Sequence, residues 1–246
     1  MTYHEGMPNR EPRHYMDGLV ANGFSFVDGK TMDGALDGVL DSDEWVRFAS
    51  SWNDLAVDAY LAEHGTYRRR RHAVFSLSSD GQATREPHRP HYQSKTYNTL
   101  QGGIERWFEP IESGIADSEI FHRILSFCAK TFAVLAPDVT RWNVETHQFR
   151  IEARESEAGQ PTPEGVHRDG VDYVLVALID RTNIERGTTT IHDKSGKQLG
   201  SFTLTRALDS ALVDDTRVFH GVTSVLPSDA SRPAYRDVLV VTLRAA

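Results

Sequence analysis

The part of the chain beyond Pro137 is a succession of short β-type segments, and this pattern constrains the fold more than any other feature of the sequence. Apolar or alternating runs are separated there by residues that favour turns. Strands are predicted at 142–153, 173–179, 188–192, 200–205, 210–213, 218–225 and 238–243. Short strands in such a series are typical of an antiparallel sandwich or barrel. We therefore expect an α+β protein with a double-stranded β-helix (jelly-roll) core.

The part of the chain before Pro137 alternates helical and extended patterns. Helices are predicted at 15–22, 43–63 and 118–135, and a strand at 24–27. In the longest of these helices Trp45, Phe48 and Trp52 recur at helical spacing, and Asp41 or Ser42 can cap its start. We expect these helices to form an N-terminal layer that supports the sheet. The prediction is one domain over 1–246, with mixed support in 1–137 and a β-rich metal-binding core in 138–246.

Composition excludes several classes of function. The net charge of −8 argues against a nucleic-acid-binding surface. No apolar run approaches the length of a membrane span, and the first residues lack the apolar core of a signal peptide, so we expect no membrane association and a cytoplasmic location. Cys128 is the only cysteine and falls in an apolar helical pattern, which predicts a small buried side chain. The sequence does not indicate an oligomeric state.

Three residues form a candidate metal site. His167 and Asp169 stand two residues apart ahead of the strand at 173–179, and His220 lies in another strand-like run. Residues i and i+2 of a strand point to the same face. Two imidazoles and one carboxylate with open positions opposite them are the ligand set of non-haem iron(II) oxygenases. The alternative for an isolated His-x-Asp pair is a surface histidine beside a loop aspartate. Here the flanking strands favour metal ligands at one mouth of the barrel. We therefore expect His167, Asp169 and His220 to hold the catalytic ion.

Arg236 completes this chemical set. It leads into the apolar strand at 238–243, and a guanidinium fork can bind a carboxylate through two hydrogen bonds. In an iron(II) oxygenase that uses 2-oxoglutarate, the iron would chelate the keto acid end of the cosubstrate. The far carboxylate of the cosubstrate would then need a fixed cation. Arg232 and Arg244 are the competing candidates. We favour Arg236 as the cosubstrate-binding residue because its strand should be buried.

The segments that carry these residues resemble a known family. Segments 161–170, 220–223 and 235–242 look like the bacterial 2-oxoglutarate/Fe(II) dioxygenases that include the L-isoleucine 4-hydroxylases, and segments 67–71 and 92–103 are similar to them as well. The resemblance covers most of the chain. It implies Fe(II), 2-oxoglutarate and O₂, a free and mostly aliphatic L-amino acid as the small-molecule substrate, and release of succinate and CO₂. Because Asp169 supplies the carboxylate that related halogenases lack, hydroxylation is expected.

Substrate contacts are predicted from several patterns. In a strand beginning at the basic run 68–71, Arg68 and Arg70 would face one way and Arg69 and Arg71 the other, so that Arg70 could reach a carboxylate. Gln148 and Arg150 are expected on the pocket wall, although a strand face turned to solvent is the alternative. The resemblance adds Tyr92, Gln93 and Asn98. His88 and His91 are expected in a loop over the mouth, and His147 and His192 as ordinary strand residues, all without a metal role.

Two alternative functions remain open from the sequence. A hydroxylase of a peptide- or carrier-bound residue would keep the same metal site but would need a wide mouth, which we expect the stretch 79–98 to narrow. A cupin-like metal-binding or sugar-binding protein without oxygenase activity is the second. That alternative leaves Arg236 without a role.

Overall fold

The structure is a computed structural model that describes residues 14–61, 65–98, 100 and 102–246. The N-terminal segment 1–13 and positions 62–63 of the helix predicted at 43–63 lie outside these residues. The helices are α1 His14–Asn22, α2 Gly29–Ala35, α3 Asp43–Ser50, α4 Ser113–Ala116 and α5 Glu119–Phe132, with a 3₁₀ turn at Ser51–Asp54. The strands are β1 Phe24–Val27, β2 Ala56–Val57, β3 Arg68–Ser78, β4 Ala83–Arg85, β5 His91–Tyr92, β6 Glu105–Arg106, β7 Arg141–Glu152, β8 Tyr173–Thr182, β9 Ile184–Arg186, β10 Thr188–His192, β11 Gln198–Thr203, β12 Ser210–Asp214, β13 Phe219–Val222, β14 Val225–Pro227 and β15 Tyr235–Ala245.

The larger sheet holds eight strands in the order β1-β12-β8-β15-β7-β3-β2, with β4 paired to β3. Its pairs are antiparallel. Strand β7 pairs along its whole length with both β3 and β15, so these three long strands form the rigid centre of the sheet. Residues from β7 and β15 therefore alternate strictly between the two faces of the sheet.

One face of the larger sheet packs against the helical layer. Sheet residues such as Phe75 and Trp142 are buried there together with three aromatic side chains of the helical layer. These are Phe48 of α3, Trp52 of the 3₁₀ turn and Phe121 of α5. The hydroxyl oxygens of Ser42 and Ser118 accept the backbone N–H groups that begin α3 and α5. Of the two cap candidates for the helix at 43–63, Ser42 is therefore the one that caps α3, and the buried position predicted for Cys128 is confirmed.

A smaller set of strands covers the opposite face. Strands β11, β10 and β13 form a three-stranded sheet, and β14 pairs with β9. Ile191 of β10 and Leu204 after β11 pack against Val174 and Leu178 of the larger sheet. Two facing, mostly antiparallel layers with helices outside one of them are the α+β double-stranded β-helix architecture expected from the sequence.

The helix predicted at 43–63 is wrong in its second half. The α-helix ends at Ser50, and after a 3₁₀ turn the chain becomes strand β2. Ala56 pairs with Arg70 of β3, and the indole N–H of Trp52 reaches the carbonyl oxygens of Phe149 (3.2 Å) and Val238 (3.3 Å). These long-range hydrogen bonds turn the chain onto the sheet edge, although the apolar spacing continues to Leu55. Within the part of the chain that is described, no helix is long and apolar enough to cross a membrane.

Candidate active site

A cavity of about 380 Å³ lies between the two sheets. Its walls come from residues of the larger sheet that point away from the helices, from β13 and from the segment that contains β5 and β6. The wall residues contributed by the larger sheet are Arg68, Arg70, Asn143, Glu145, His147, Phe149, Ile151, Val174, Val176, Arg236, Val238, Val240, Thr242 and Arg244.

The structure brings the three predicted metal ligands together at this cavity. His167 Nε2 lies 3.6 Å from Asp169 Oδ1, and His220 Nε2 lies 3.4 Å from Asp169 Oδ2. One potential ligand atom from each residue falls within 4.8 Å of the others. The backbones of His167 and His220 exchange two hydrogen bonds of 2.9 Å, so the segment before β8 is joined to β13 at the ligands themselves.

The surroundings of the three residues set their orientation. His167 Nδ1 lies 3.0 Å from the carbonyl oxygen of Gly165, so Nδ1 carries the proton and Nε2 is left for a metal ion. The buried carboxylate of Asp215 accepts the backbone N–H groups of Asp169, Gly170 and Val171 at 3.0, 2.8 and 3.2 Å. Nothing in the sequence pattern indicated a role for Asp215. Its hydrogen-bond partners are backbone N–H groups, which almost every residue type has, so the interaction leaves no recognisable motif.

The charges of the site suit a divalent cation. Burial opposes the charge on Asp169, but its contacts with His167 and His220 hold the pKa of this carboxylate well below its usual range. Burial, followed by the neighbouring His167, lowers the pKa of His220 to about 4. At His167 burial is outweighed by Asp169 and Glu164, which raise its pKa to about 9. Metal binding at neutral pH would therefore displace a proton from His167.

Arg236 stands on the wall of the same cavity and is 2% exposed. Its Nε and Nη2 atoms have no hydrogen-bond partner within the described ranges. Burial and the nearby Arg181 lower its pKa to about 10, which leaves the guanidinium charged at neutral pH. A buried cation with open donors requires an anionic partner, and a carboxylate fits its fork. Of the competing candidates, Arg244 donates to the carbonyl oxygen of Gly170, and Arg232 is exposed.

The predicted substrate-side residues Arg70, Tyr92, Gln93 and Asn98 all line the cavity. Arg70 is buried between the rings of Phe108 and Phe149. Gln93 Nε2 lies 3.4 Å from Asp169 Oδ1, and its Oε1 accepts from Arg106 (2.9 Å) and Asn98 (3.2 Å). Gln93 thus links the segment that contains β5 and β6 to the candidate metal ligand Asp169.

Gln148 and Arg150 do not line the cavity, so the prediction that they form its wall is wrong. Gln148 donates to Ser51 Oγ (2.8 Å), and Arg150 pairs with Asp237 at 2.6–2.8 Å. They share their strand face with Trp142 and Val144, which pack under the helices. The apolar character of those two residues was the available signal for this orientation.

The alternate residues of β7 face the cavity instead. Glu145 and His147 stand on its wall, although the sequence pattern did not single out Glu145 and predicted His147 to be an ordinary strand residue. His91, which was predicted to lie in a loop over the mouth, also lines the cavity and reaches Glu145.

Comparison with known proteins places this site in context. The sequence model of the family described as 2OG-Fe dioxygenase matches residues 49–242. Over 208 residues the chain is 26% identical to a 3(1)-hydroxy-L-isoleucine 4-dioxygenase of Pantoea ananatis. This match covers 82% of this chain and 81% of that protein. It is 27% identical over 155 residues to an L-isoleucine-4-hydroxylase of Bacillus thuringiensis, covering 62% of this chain and 64% of the relative.

Solved structures agree with the fold. The crystal structure of a bsmA homolog from Methylobium petroleophilum PM1 superposes with a TM-score of 0.86 at 38% identity, and the match covers 95% of this chain and 92% of the other. The structure of IDO from Bacillus thuringiensis superposes with a TM-score of 0.76 at 17% identity over 99% of both chains.

Proposed function

The chain belongs to the 2OG-Fe dioxygenase family, and from this membership we propose that it hydroxylates an unactivated carbon of a free L-amino acid. The family uses Fe(II) as its metal cofactor and 2-oxoglutarate and O₂ as cosubstrates. The observation that carries the proposal is the convergence of His167, Asp169 and His220 with the open guanidinium of Arg236 in one cavity. The substrate class is supported by the names of two relatives, which act on isoleucine or hydroxyisoleucine.

Each group has a defined task in this proposal. His167, Asp169 and His220 would hold the iron at the cavity. Arg236 would bind the C5 carboxylate of 2-oxoglutarate and orient the keto acid end toward the metal. When bound together, iron and 2-oxoglutarate supply the oxidising power, and the cosubstrate leaves as succinate and CO₂.

The remaining walls position the substrate and limit water. Arg70 would bind the substrate carboxylate, with Asn98 and Gln93 beside it and Tyr92 at the rim. Val174, Val176 and Val240 give one part of the wall formed by the larger sheet an apolar surface. Such positioning fixes which carbon faces the metal. We propose a cytoplasmic location with this role, and no nucleic-acid partner.

The direct test is turnover by the protein reconstituted anaerobically with Fe(II). With 2-oxoglutarate and O₂ added, the protein is screened against the free L-amino acids while succinate and product masses are measured. We expect at least one amino acid to gain a single oxygen atom in step with succinate formation. Variants His167→Ala and Asp169→Ala should lose this turnover. Near-normal activity in either variant would rule out the metal assignment.

A carrier- or peptide-bound substrate is the second candidate. It predicts uncoupled succinate formation in the same assay with no free amino acid converted. No coupled or uncoupled consumption of 2-oxoglutarate, with iron verified in the protein, would contradict the proposed activity itself.

A further inference from the structure

A second group of titratable side chains lies at the cavity, where Glu145, His91 and His147 stand on the wall and His72 is buried behind them. This Glu145 cluster consists of Glu145 on β7 and three imidazoles, those of His72, His91 and His147. His91 Nδ1 hydrogen-bonds Glu145 Oε2, and the Nε2 atoms of His72 and His147 lie 3.5 and 3.8 Å from that same oxygen. All three imidazoles thus approach Oε2. The carboxylate is about a quarter exposed, and its Oε1 keeps acceptor capacity for a molecule in the cavity.

The Glu145 cluster carries a negative charge. Burial lowers the pKa of His72 to about 4 and also lowers the pKa values of His91 and His147, so the three imidazoles are neutral at pH 7. Burial opposes ionisation of Glu145, but its contacts with His72 and His91 outweigh burial and hold the pKa of this carboxyl well below its usual range. One carboxylate surrounded by neutral donors therefore faces the cavity.

The neighbouring part of the wall carries the opposite charge. Arg68 and Arg70 share the single carboxylate of Asp58, at 2.8 and 3.5 Å. Arg70 Nη2 lies 2.8 Å from His147 Nδ1. Because a guanidinium can only donate, His147 Nδ1 accepts, and the proton of this imidazole is on Nε2, which is directed to Glu145. The neutral ring of His147 therefore separates an anionic group from a cationic one.

A metal ion is a poor fit for the Glu145 cluster. The rings of His72 and His147 are stacked, with centroids 4.7 Å apart and planes 19° from parallel. The lone pair of an imidazole nitrogen lies in the plane of its ring. Two stacked rings lie in separate, nearly parallel planes, so their lone pairs do not meet at one ion. In addition, if His147 Nε2 bound a metal ion, the proton of the ring would be on Nδ1. His147 Nδ1 already accepts a hydrogen bond from Arg70, so it cannot carry that proton.

We propose that Glu145 binds the α-ammonium group of the substrate while Arg70 binds its α-carboxylate, so that the enzyme selects amino acids with an unmodified amino group. This inference rests on the proposed hydroxylation of amino acids. An ammonium group donates to Oε1 of Glu145 and compensates the charge of this carboxylate. N-Acylated amino acids and residues linked through their nitrogen lack that charge. They would bring an uncharged amide against the Glu145 carboxylate and leave its charge without a cationic partner.

The first test uses the wild-type protein with Fe(II), 2-oxoglutarate and O₂. Every L-amino acid is offered in free form, as its N-acetyl derivative and as its α-amide, and oxygenated product and succinate are measured. We expect product from the free form, with kcat/KM reduced about tenfold or more by N-acetylation. Comparable turnover of an N-acetyl derivative would overturn the proposal, as would 2-oxoglutarate consumption with no free amino acid converted. If 2-oxoglutarate is not consumed with any of the three substrate series, the proposed function and this inference are both overturned.

The second test uses the variant Glu145→Gln, which keeps the shape of the side chain and removes its charge. Its matched control is Glu155→Gln, which changes an exposed glutamate away from the cavity. We expect Glu145→Gln to raise KM for the free amino acid about tenfold or more and to reduce the preference for the free over the N-acetyl form. The control should keep both values.

An unchanged preference in Glu145→Gln would overturn the assignment. So would a second equivalent of Zn²⁺ that wild-type protein binds and Glu145→Gln does not, since this would identify the Glu145 cluster as a metal site. If Glu145→Gln does not fold, the comparison of the three substrate series on the wild-type protein decides.

Discussion

The carboxylate of Asp215 accepts a hydrogen bond of 3.0 Å from the backbone N–H of Asp169, a residue 46 positions earlier in the chain. The same side chain accepts the N–H groups of Gly170 and Val171, and its Oδ1 lies 3.9 Å from His220 Nδ1. Gly170 has a φ of +77°, and a Cβ there would meet the ring of Tyr97 at 2.4 Å. Asp215 thus fixes a tight loop on which one candidate metal ligand stands, next to another ligand.

Removing this support should weaken metal binding. In Asp215→Ala we expect metal affinity to fall about 10- to 100-fold, because three backbone donors lose their acceptor and the loop bearing Asp169 loses its anchor. Competition titration of metal-free protein with Co²⁺ and a chelator measures this. Asp138→Ala changes an exposed aspartate and should bind like wild type. Equal affinity of Asp215→Ala and wild type would show that the hydrogen bonds of Asp215 do not position the ligands.

Loss of the Arg236 fork should affect the cosubstrate without affecting the metal. For Arg236→Gln we expect the Kd of 2-oxoglutarate to rise about 10- to 100-fold, since a charge-assisted pair of hydrogen bonds is lost. Calorimetric titration of anaerobic Co²⁺-substituted protein reports the Kd, and metal content reports the site. Arg206→Gln, on the surface, is the control. An unaltered Kd in Arg236→Gln would move the cosubstrate carboxylate to another cation.

Arg150 should contribute to stability and leave substrate binding intact. Its guanidinium holds the carboxylate of Asp237, which is 1% exposed. In Arg150→Ala we expect the free energy of unfolding to fall by about 2–4 kcal/mol, because a buried carboxylate loses its partner. Arg154→Ala removes exposed ion pairs and should cost less than about 1 kcal/mol. Urea titrations measure both. A raised substrate KM with normal stability in Arg150→Ala would place this side chain in the cavity.

Cys128 should be unreactive in the folded protein. Its side chain is fully buried in α5, and burial raises the pKa of the thiol far above its usual range. Because the thiolate is the reacting species, iodoacetamide at neutral pH should leave native protein unmodified and should alkylate it in denaturant. Mass spectrometry distinguishes the two states. Rapid labelling of native protein would mean that α5 opens readily from the sheet.

The sequence carried most of the information on the strands and on His167, Asp169, His220 and Arg236. Alternation and turn residues identify strands locally, and the candidate metal ligands stand at strand edges that the pattern reveals. Alternation alone does not state which set of side chains faces the cavity. For β7 this orientation depends on which face the helices cover, and Gln148 was therefore assigned to the wrong side.

Other features were beyond the sequence because they depend on contacts distant along the chain. Helix α3 ends at Ser50, and after a 3₁₀ turn the chain pairs with β3 as strand β2, although the apolar spacing continues. The cluster of Glu145 and His72 arises because β3 and β7 pair in one particular register, with His72 opposite His147. Neither contact leaves a local pattern that a reader of the sequence can detect.

The two backbone hydrogen bonds between His167 and His220 also have a consequence for how the protein is stabilised. The two imidazoles come from segments separated by the whole of β8 to β12, so an ion held by both would cross-link two distant parts of the chain. Such an ion would bind the folded chain and not the unfolded one. Its binding free energy would therefore add to the stability of the fold.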